Sequence, residues 1–294
     1  MKRPVILFAT ILLGCGWISG CQRRAPAPPP PAHARYTLGP AWQSGGYWFY
    51  PAEESSYTAT GLAVVDPPEL KARRMTADGE AYDPALVAAA HQTLQLPVML
   101  RVRNLENGRE ITLRVNDRGP GAAGRLLSVT PRAALLLGMV PGQATRVRLT
   151  EDEPRSRGLL QQVDGAPPPD VIAAPVGVVQ EQSLMPAGFA PQSYARASTQ
   201  PDSTGLALPE PARESVTVYP ADPGQLWIDA GHFSEPGYAR RLAAQLSGMV
   251  RQDGRGRSSV FSVRVGPFNL PTEADAALDQ ARSAGVTGAR IIVE

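Results

Sequence analysis

The chain has 294 residues, 43% of them hydrophobic, with 30 prolines and 28 glycines. That length allows one or two domains, and so much proline and glycine implies that part of the chain is linker. A formal net charge of +2, with no Lys/Arg block in the mature region, gives no support to a nucleic-acid footprint.

The opening stretch MKRPVILFATILLGCGWISGC has Lys2 and Arg3, then an apolar run, then small residues. It reads as a secretory signal over 1–20, too short to span a bilayer comfortably. Ile18-Ser19-Gly20-Cys21 fits a lipobox, in which the cysteine is lipidated and becomes the new N-terminus; the alternative is an ordinary cleaved signal with a chance cysteine. The other cysteine, Cys15, lies in the removed segment, so no disulfide is expected in the mature chain. Gln22 after Cys21, rather than Asp, points to an outer-membrane lipoprotein facing the periplasm. Residues 21–35 are a Pro-rich tether, expected to be extended.

From 36 to 150, short alternating runs and turns predict a small, mainly β domain. Pro84 to Ala90 is Ala-rich and predicts one or two helical turns. Leu100 and Val102, then Ile111, Leu113 and Val115, alternate around Asn107-Gly108, which predicts a hairpin. Asp117 shares the parity of the second run, so a regular strand would turn its carboxyl to the apolar side. Burial there favours the neutral carboxylic acid, the form that donates a proton. The plain alternative is a turn in which Asp117 caps backbone donors. Thr130 as N-cap, Pro131 at the first helical position and Gly138 at the end predict a short helix.

Residues 151–221 turn to Pro, Ala, Ser and Gln without periodicity, and are expected to be a disordered linker. Residues 222–294 carry a pseudo-repeat, a β run, a Gly-x-Phe turn and an amphipathic helix in each half. The expected apolar stripes are Tyr238, Leu242 and Leu246, and Ala274, Leu278 and Ala281, with a capping box from Thr272 to Asp275. With a last strand at Arg290 to Val293, this predicts an α+β domain with a four-stranded sheet and two helices.

Three stretches, MTADGEAYDPALVAAAHQTLQLP, LRVRNLENGREITLRVNDRGP, and DAGHFSEPGYARRLAAQL with SVRVGPF, resemble the RlpA family of septal lytic transglycosylases. The resemblance implies a six-stranded double-psi β-barrel followed by a SPOR domain. It implies cleavage, without water, of the β-1,4 bond between N-acetylmuramic acid and N-acetylglucosamine in peptide-stripped strands, leaving a 1,6-anhydro ring. It places functional residues at Glu80 (T-A-x-G-E), His91 (A-A-H) and Asp117 (V-N-D-R-G-P), with Asp117 as the acid and Asn116 and Arg118 as substrate contacts. In the SPOR part Asp229, His232 and Phe261 become candidate glycan contacts. Peptidoglycan strands, the outer membrane through Cys21, and division proteins are the implied partners. No metal or cofactor is implied, and His33 and His232 build no metal cluster with the rest. By themselves Glu80 reads as a solvated loop residue and His91 as a core or cap histidine.

The chain departs from the family pattern in three places. An A-S-W-Y-G stretch is replaced after Gly61 by LAVVDPPELKARR, which removes an aromatic platform for sugar stacking. R-I-I-D-L-S reads Arg125 to Thr130 with Ser128 where a carboxylate stands. In the SPOR part V-Q-V-G reads Ile228-Asp229-Ala230-Gly231. These changes motivate a second reading, a degenerate barrel that binds glycan or division proteins without cutting.

Overall fold

A computed structural model describes residues 33–67, 74–168, 214–254 and 259–294. The expectations for the signal, the lipobox at Cys21 and the tether up to residue 32 lie outside the described residues, as does most of the expected linker, 169–213. The described residues belong to one compact unit.

The first elements are a two-stranded hairpin, β1 (Trp42–Ser44) and β2 (Tyr47–Phe49). Its turn is Gly45-Gly46, both at positive φ, as the two central positions of a tight hairpin require. Then come β3 (Thr58–Val65), β4 (Ala88–His91), β5 (Val98–Asn104), β6 (Arg109–Arg118), β7 (Arg125–Val129), α1 (Pro131–Leu137) and β8 (Thr145–Glu151). The strands hydrogen-bond in the order β4-β7-β3-β8-β5-β6, and β6 returns to β4, so six strands close a barrel. Two of the pairings, β3 with β7 and β4 with β6, are parallel. Closure leaves no edge among these strands.

The alternation expected of the hairpin is present. Val98, Leu100 and Val102 face Ile111, Leu113 and Val115 across β5 and β6, and all six are buried with Leu127, Val129, Val147 and Leu149. Helix α1 closes one end of this core with Ala133, Ala134 and Leu137. Thr130 Oγ1 accepts the Ala133 N–H, and Gly138 ends the helix at φ +67, as its sequence predicts.

The Ala-rich stretch is a correction. Ala88, Ala89 and Ala90 belong to strand β4, not to a helical turn. Wedged between β6 and β7, all four residues of β4 are buried, and ladder pairing outweighs the helix propensity of alanine there. The linker expectation also changes at its start, because Glu153–Leu160 form α2, capped by Asp152 and packed through Ser156 and Leu159 near β5. Later in the same stretch, β9 (Thr217–Val218) pairs with Arg109 and Glu110 of β6.

The C-terminal part comprises β10 (Leu226–Phe233), α3 (Pro236–Gln245), β11 (Met249–Asp253), β12 (Val260–Phe268), α4 (Pro271–Ser283) and β13 (Arg290–Val293). Its sheet is four-stranded and antiparallel, in the order β11-β12-β10-β13. The Gly-x-Phe segments are the ends of β10 and β12 rather than turns. Helix α4 buries Ala274, Leu278 and Ala281 as expected; of the stripe expected on α3, Leu246 is buried and Leu242 packs against the core, but Tyr238 is exposed beneath Arg241 and Ala239 and Ala243 are buried instead. The cap on α4 is made by Glu273, whose carboxylate accepts the N–H groups of Asn269 and Leu270. Asp275 is thereby free to bind Arg125 of β7 through two hydrogen bonds of 2.6 and 2.8 Å.

Barrel and C-terminal domain share a core. Leu62 of β3 and Leu105 are buried in the same cluster as Leu226, Ile228, Leu278 and Ile291. Thr60 Oγ1 donates to Val293 O at 2.8 Å and accepts its N–H at 3.1 Å. Gly61 permits this approach, since a Cβ there would lie 3.3 Å from Ile291 O.

Candidate active site

Parity along β6 predicts that Asp117 faces the core, and the pairing register shows why it does not. Ala88 pairs with Arg114 and Ala89 with Val115, but Ala90 pairs with Asp117, so β6 carries one extra residue, Asn116. Such a bulge shifts every later side chain to the other face. Ala89 and Val115 point into the core; Ala90 and Asp117 therefore share the outer face with Arg114. Asp117 is still only 6% exposed, because a hairpin of residues 74–82 covers it.

That hairpin is held by Met75 bridging Ala81, Thr76 N–H to Glu80 O, and Tyr82 N–H to Arg74 O. Its turn carries Gly79 at φ +94, and Asp78 N–H donates to Asn116 O. Asp117 Oδ1 accepts the Ala77 N–H at 3.0 Å and the Arg118 N–H at 2.8 Å, while Oδ2 pairs with the Arg74 guanidinium. All three partners are donors that suit a carboxylate anion. This surrounding is polar, in contrast to the apolar burial that alternation alone implies.

Glu80 is buried under the same turn. Its Oε2 accepts from Arg114 at 2.6 Å and from the Asn116 amide at 2.7 Å, and its Oε1 has no partner. Asp78, two residues away, is 1% exposed. Burial, and then the charge of Glu80, push its carboxyl up to about 7. Thr76 Oγ1 donates to Asp78 Oδ1 at 2.6 Å. Two further groups complete the cluster. Asp66, which follows β3, accepts from the Tyr82 hydroxyl at 3.0 Å, and the Arg74 guanidinium lies 5.0 Å from the centre of the Tyr82 ring.

The structure thus gathers Glu80, Asn116 and Asp117 around one turn, and does not bring His91 to it. Ala90 and His91 are consecutive on β4, so they face opposite sides, and His91 pairs with Arg118. His91 is 2% exposed, and burial followed by the Arg118 charge lowers its pKa to about 3. Its Nδ1 accepts the N–H groups of Thr93 and Leu94, each at 3.2 Å. The proton of the neutral ring is therefore on Nε2, 3.1 Å from the Tyr57 hydroxyl. That side of the barrel lines a cleft of about 560 Å³ with Tyr57, Arg264, Asp229 and Arg290. Arg118 is spent on backbone: its guanidinium donates to Leu94 O and Leu38 O, and burial lowers it to about 10.

In the C-terminal sheet Asp229 is 2% exposed and held between Arg264 and Arg290, the latter at 3.0 Å. His232 is half-exposed, and Phe261 packs on the margin of the core. Sequence reading misses Asp66, Asp78, Arg74, Tyr82 and Arg114. Asp78 lies within the T-A-D-G-E stretch, and that was the one available signal; nothing local marks Asp66.

Two family models match the chain, one described as a lytic transglycolase over residues 56–150 and one as a SPOR domain over residues 222–291. A Pseudomonas aeruginosa protein named endolytic peptidoglycan transglycosylase RlpA is 33% identical over 227 residues, covering 72% of this chain and 64% of that one. Its Yersinia pestis namesake is 30% identical over 255 residues, 80% of this chain and 64% of that one. An Escherichia coli K12 protein of the same name is 43% identical over 82 residues, 28% of this chain and 22% of that one. The alignments therefore span less than two thirds of these relatives.

Proposed function

We propose that this chain, RlpA-like in both of its domains, is an endolytic peptidoglycan transglycosylase that cuts between N-acetylmuramic acid and N-acetylglucosamine. The observation that carries the reading is the polar cluster under the 74–82 hairpin, where Asp66, Glu80 and Asp117 lie in the part that matches the lytic transglycolase model. A lytic cut needs one group that first protonates the leaving oxygen and then takes the proton of the muramic C6 hydroxyl. It also needs negative charge near the anomeric carbon as positive charge develops there. The Asp117 carboxyl, held by donors on both oxygens, supplies the second, and the matched SPOR domain supplies the hold on peptide-stripped strands.

On this reading the protein is a lipoprotein, anchored through Cys21 to the outer membrane and acting in the periplasm during wall remodelling and division. The lipobox sequence and Gln22 support that address.

One observation favours the competing reading, a scaffold that binds glycan without cutting: every contact of Asp117 is a donor, so its carboxyl is engaged on both oxygens. Residues 32–294, incubated with amidase-stripped peptidoglycan and followed by mass spectrometry, separate the two. New 1,6-anhydromuramic ends, lost in Asp117→Asn, support the lytic reading. Retention on glycan with no new ends supports the scaffold.

A further inference from the structure

Ser128 of β7, Ala90 of β4 and Asp117 of β6 form one lateral row across three adjacent strands. The central residue is only a methyl group. Above it sits Gly119, where a Cβ would lie 3.5 Å from the Ala90 Cβ and 3.9 Å from Ser128 Oγ. Nothing larger than Ala90 separates the two ends of the row. Asp66 closes onto the Ser128 end: its N–H donates to Val129 O at 2.8 Å, and its carboxyl takes a hydrogen bond from the Tyr82 hydroxyl at 3.0 Å.

The partners of the two aspartates differ in kind. Asp117 is bound by two N–H groups and a guanidinium, which donate and cannot accept. Asp66 is bound by the Tyr82 hydroxyl, which donates to a carboxylate and equally accepts from a carboxylic acid. A proton can therefore come and go at Asp66 without breaking its contacts, whereas at Asp117 it would displace one.

We propose that Asp66 is the proton-carrying acid of the site and that Asp117 is its fixed anionic partner. This rests on the lytic reading above. The Asp66 acid gives its proton to the glycosidic oxygen as the bond to the anomeric carbon breaks and the electron pair stays on that oxygen. The Asp66 carboxylate then takes the proton of the muramic C6 hydroxyl, whose oxygen closes on the anomeric carbon. The acid is regenerated and no water is consumed. Among the described residues, Arg74, Tyr82 and Asp117 are the titratable groups that face Asp66. Burial raises its carboxyl above the usual range and the Asp117 charge adds to this, while Ser128, Tyr82 and Arg74 oppose it. Asp66 thus supplies, from the end of β3, a carboxyl beside position 128, where this chain has serine.

The test combines titration and turnover on residues 32–294. Carboxyl NMR of aspartate-labelled protein, with Asp66→Asn to assign the resonance, is expected to show Asp66 titrating above the exposed aspartates, and lower again in Asp117→Asn. With amidase-stripped peptidoglycan, Asp66→Asn is expected to lose at least about 100-fold of anhydro-end formation, within the range of general acid catalysis. It should retain glycan pull-down and a native near-UV spectrum. Ser128→Ala removes a hydroxyl that favours the charged form of Asp66, so the alkaline limb of the pH–rate profile should move up. Asp66 titrating with the exposed aspartates, or an active Asp66→Asn, overturns the assignment. A wild-type protein that makes no anhydro ends overturns the lytic reading and the assignment with it.

Discussion

Asp78 and Glu80 lie buried two residues apart in one turn, and only Glu80 reaches an arginine, Arg114 at 2.6 Å. Asp78 has a buried Oδ2 with no partner. Its carboxyl, pushed up to about 7 by burial and then by Glu80, holds a proton in the folded chain that the unfolded chain releases near 4. The folded state binds the extra proton, so this contribution to stability is complete below pH 4 and is lost as pH rises through 7. Asp78→Asn is expected to flatten the fall between pH 4 and 7 and to stabilise the barrel above pH 7 by on the order of 2 kcal/mol. Urea midpoints measured across that range check it, and a fall as steep as that of the wild type would refute it.

His91 works in the opposite sense. Its pKa is lowered to about 3, so the folded chain refuses a proton that the unfolded chain takes up near 6.5. Stability from this group is present above pH 6.5 and drains away as pH falls toward 3. Tyr57→Phe removes the acceptor of the Nε2 proton and is expected to cost about 1–3 kcal/mol for a buried unsatisfied donor. Long-range nitrogen–proton NMR should show the Nε2–H tautomer in the wild type.

Ala90 is expected to tolerate no added bulk. Valine there meets Gly119 and Ser128 and separates Asp66 from Asp117. We expect about 1–3 kcal/mol of destabilisation from overpacking, together with a loss of anhydro-end formation that persists at temperatures where the variant is fully folded.

The bidentate Arg125–Asp275 pair joins barrel to C-terminal domain and is partly exposed. A double-mutant cycle with alanine at both positions should return a coupling of about 0.5–1 kcal/mol, reduced in high salt. Zero coupling would mean that the shared core around Leu62 holds the domains by itself.

Much of this architecture was legible in the sequence. The Asn107-Gly108 hairpin, the Thr130 to Gly138 helix and the α4 stripe follow from local rules, because each is decided by residues close in the chain. Ala88 to Ala90 defeated those rules, since their strand exists only through partners on β6 and β7. The bulge at Asn116 leaves alternation intact up to Val115 and then reverses it, so the sequence pattern placed Asp117 on the wrong face. Glu80, Asn116 and Asp117 come together around one turn, and Asp66 was invisible because its partner Tyr82 belongs to a distant loop.

The core shared by Leu62, Leu105 and Leu278 has a mechanical consequence. Two modules joined only by a flexible tether sample many separations, and a strand held by one would meet the other at random positions. Here the C-terminal sheet and the 74–82 hairpin belong to one compact unit, so on the proposed lytic reading a strand held by the first would meet the second at a constant number of sugars. The protein would then act as a ruler, and the lengths of its products would cluster instead of spreading.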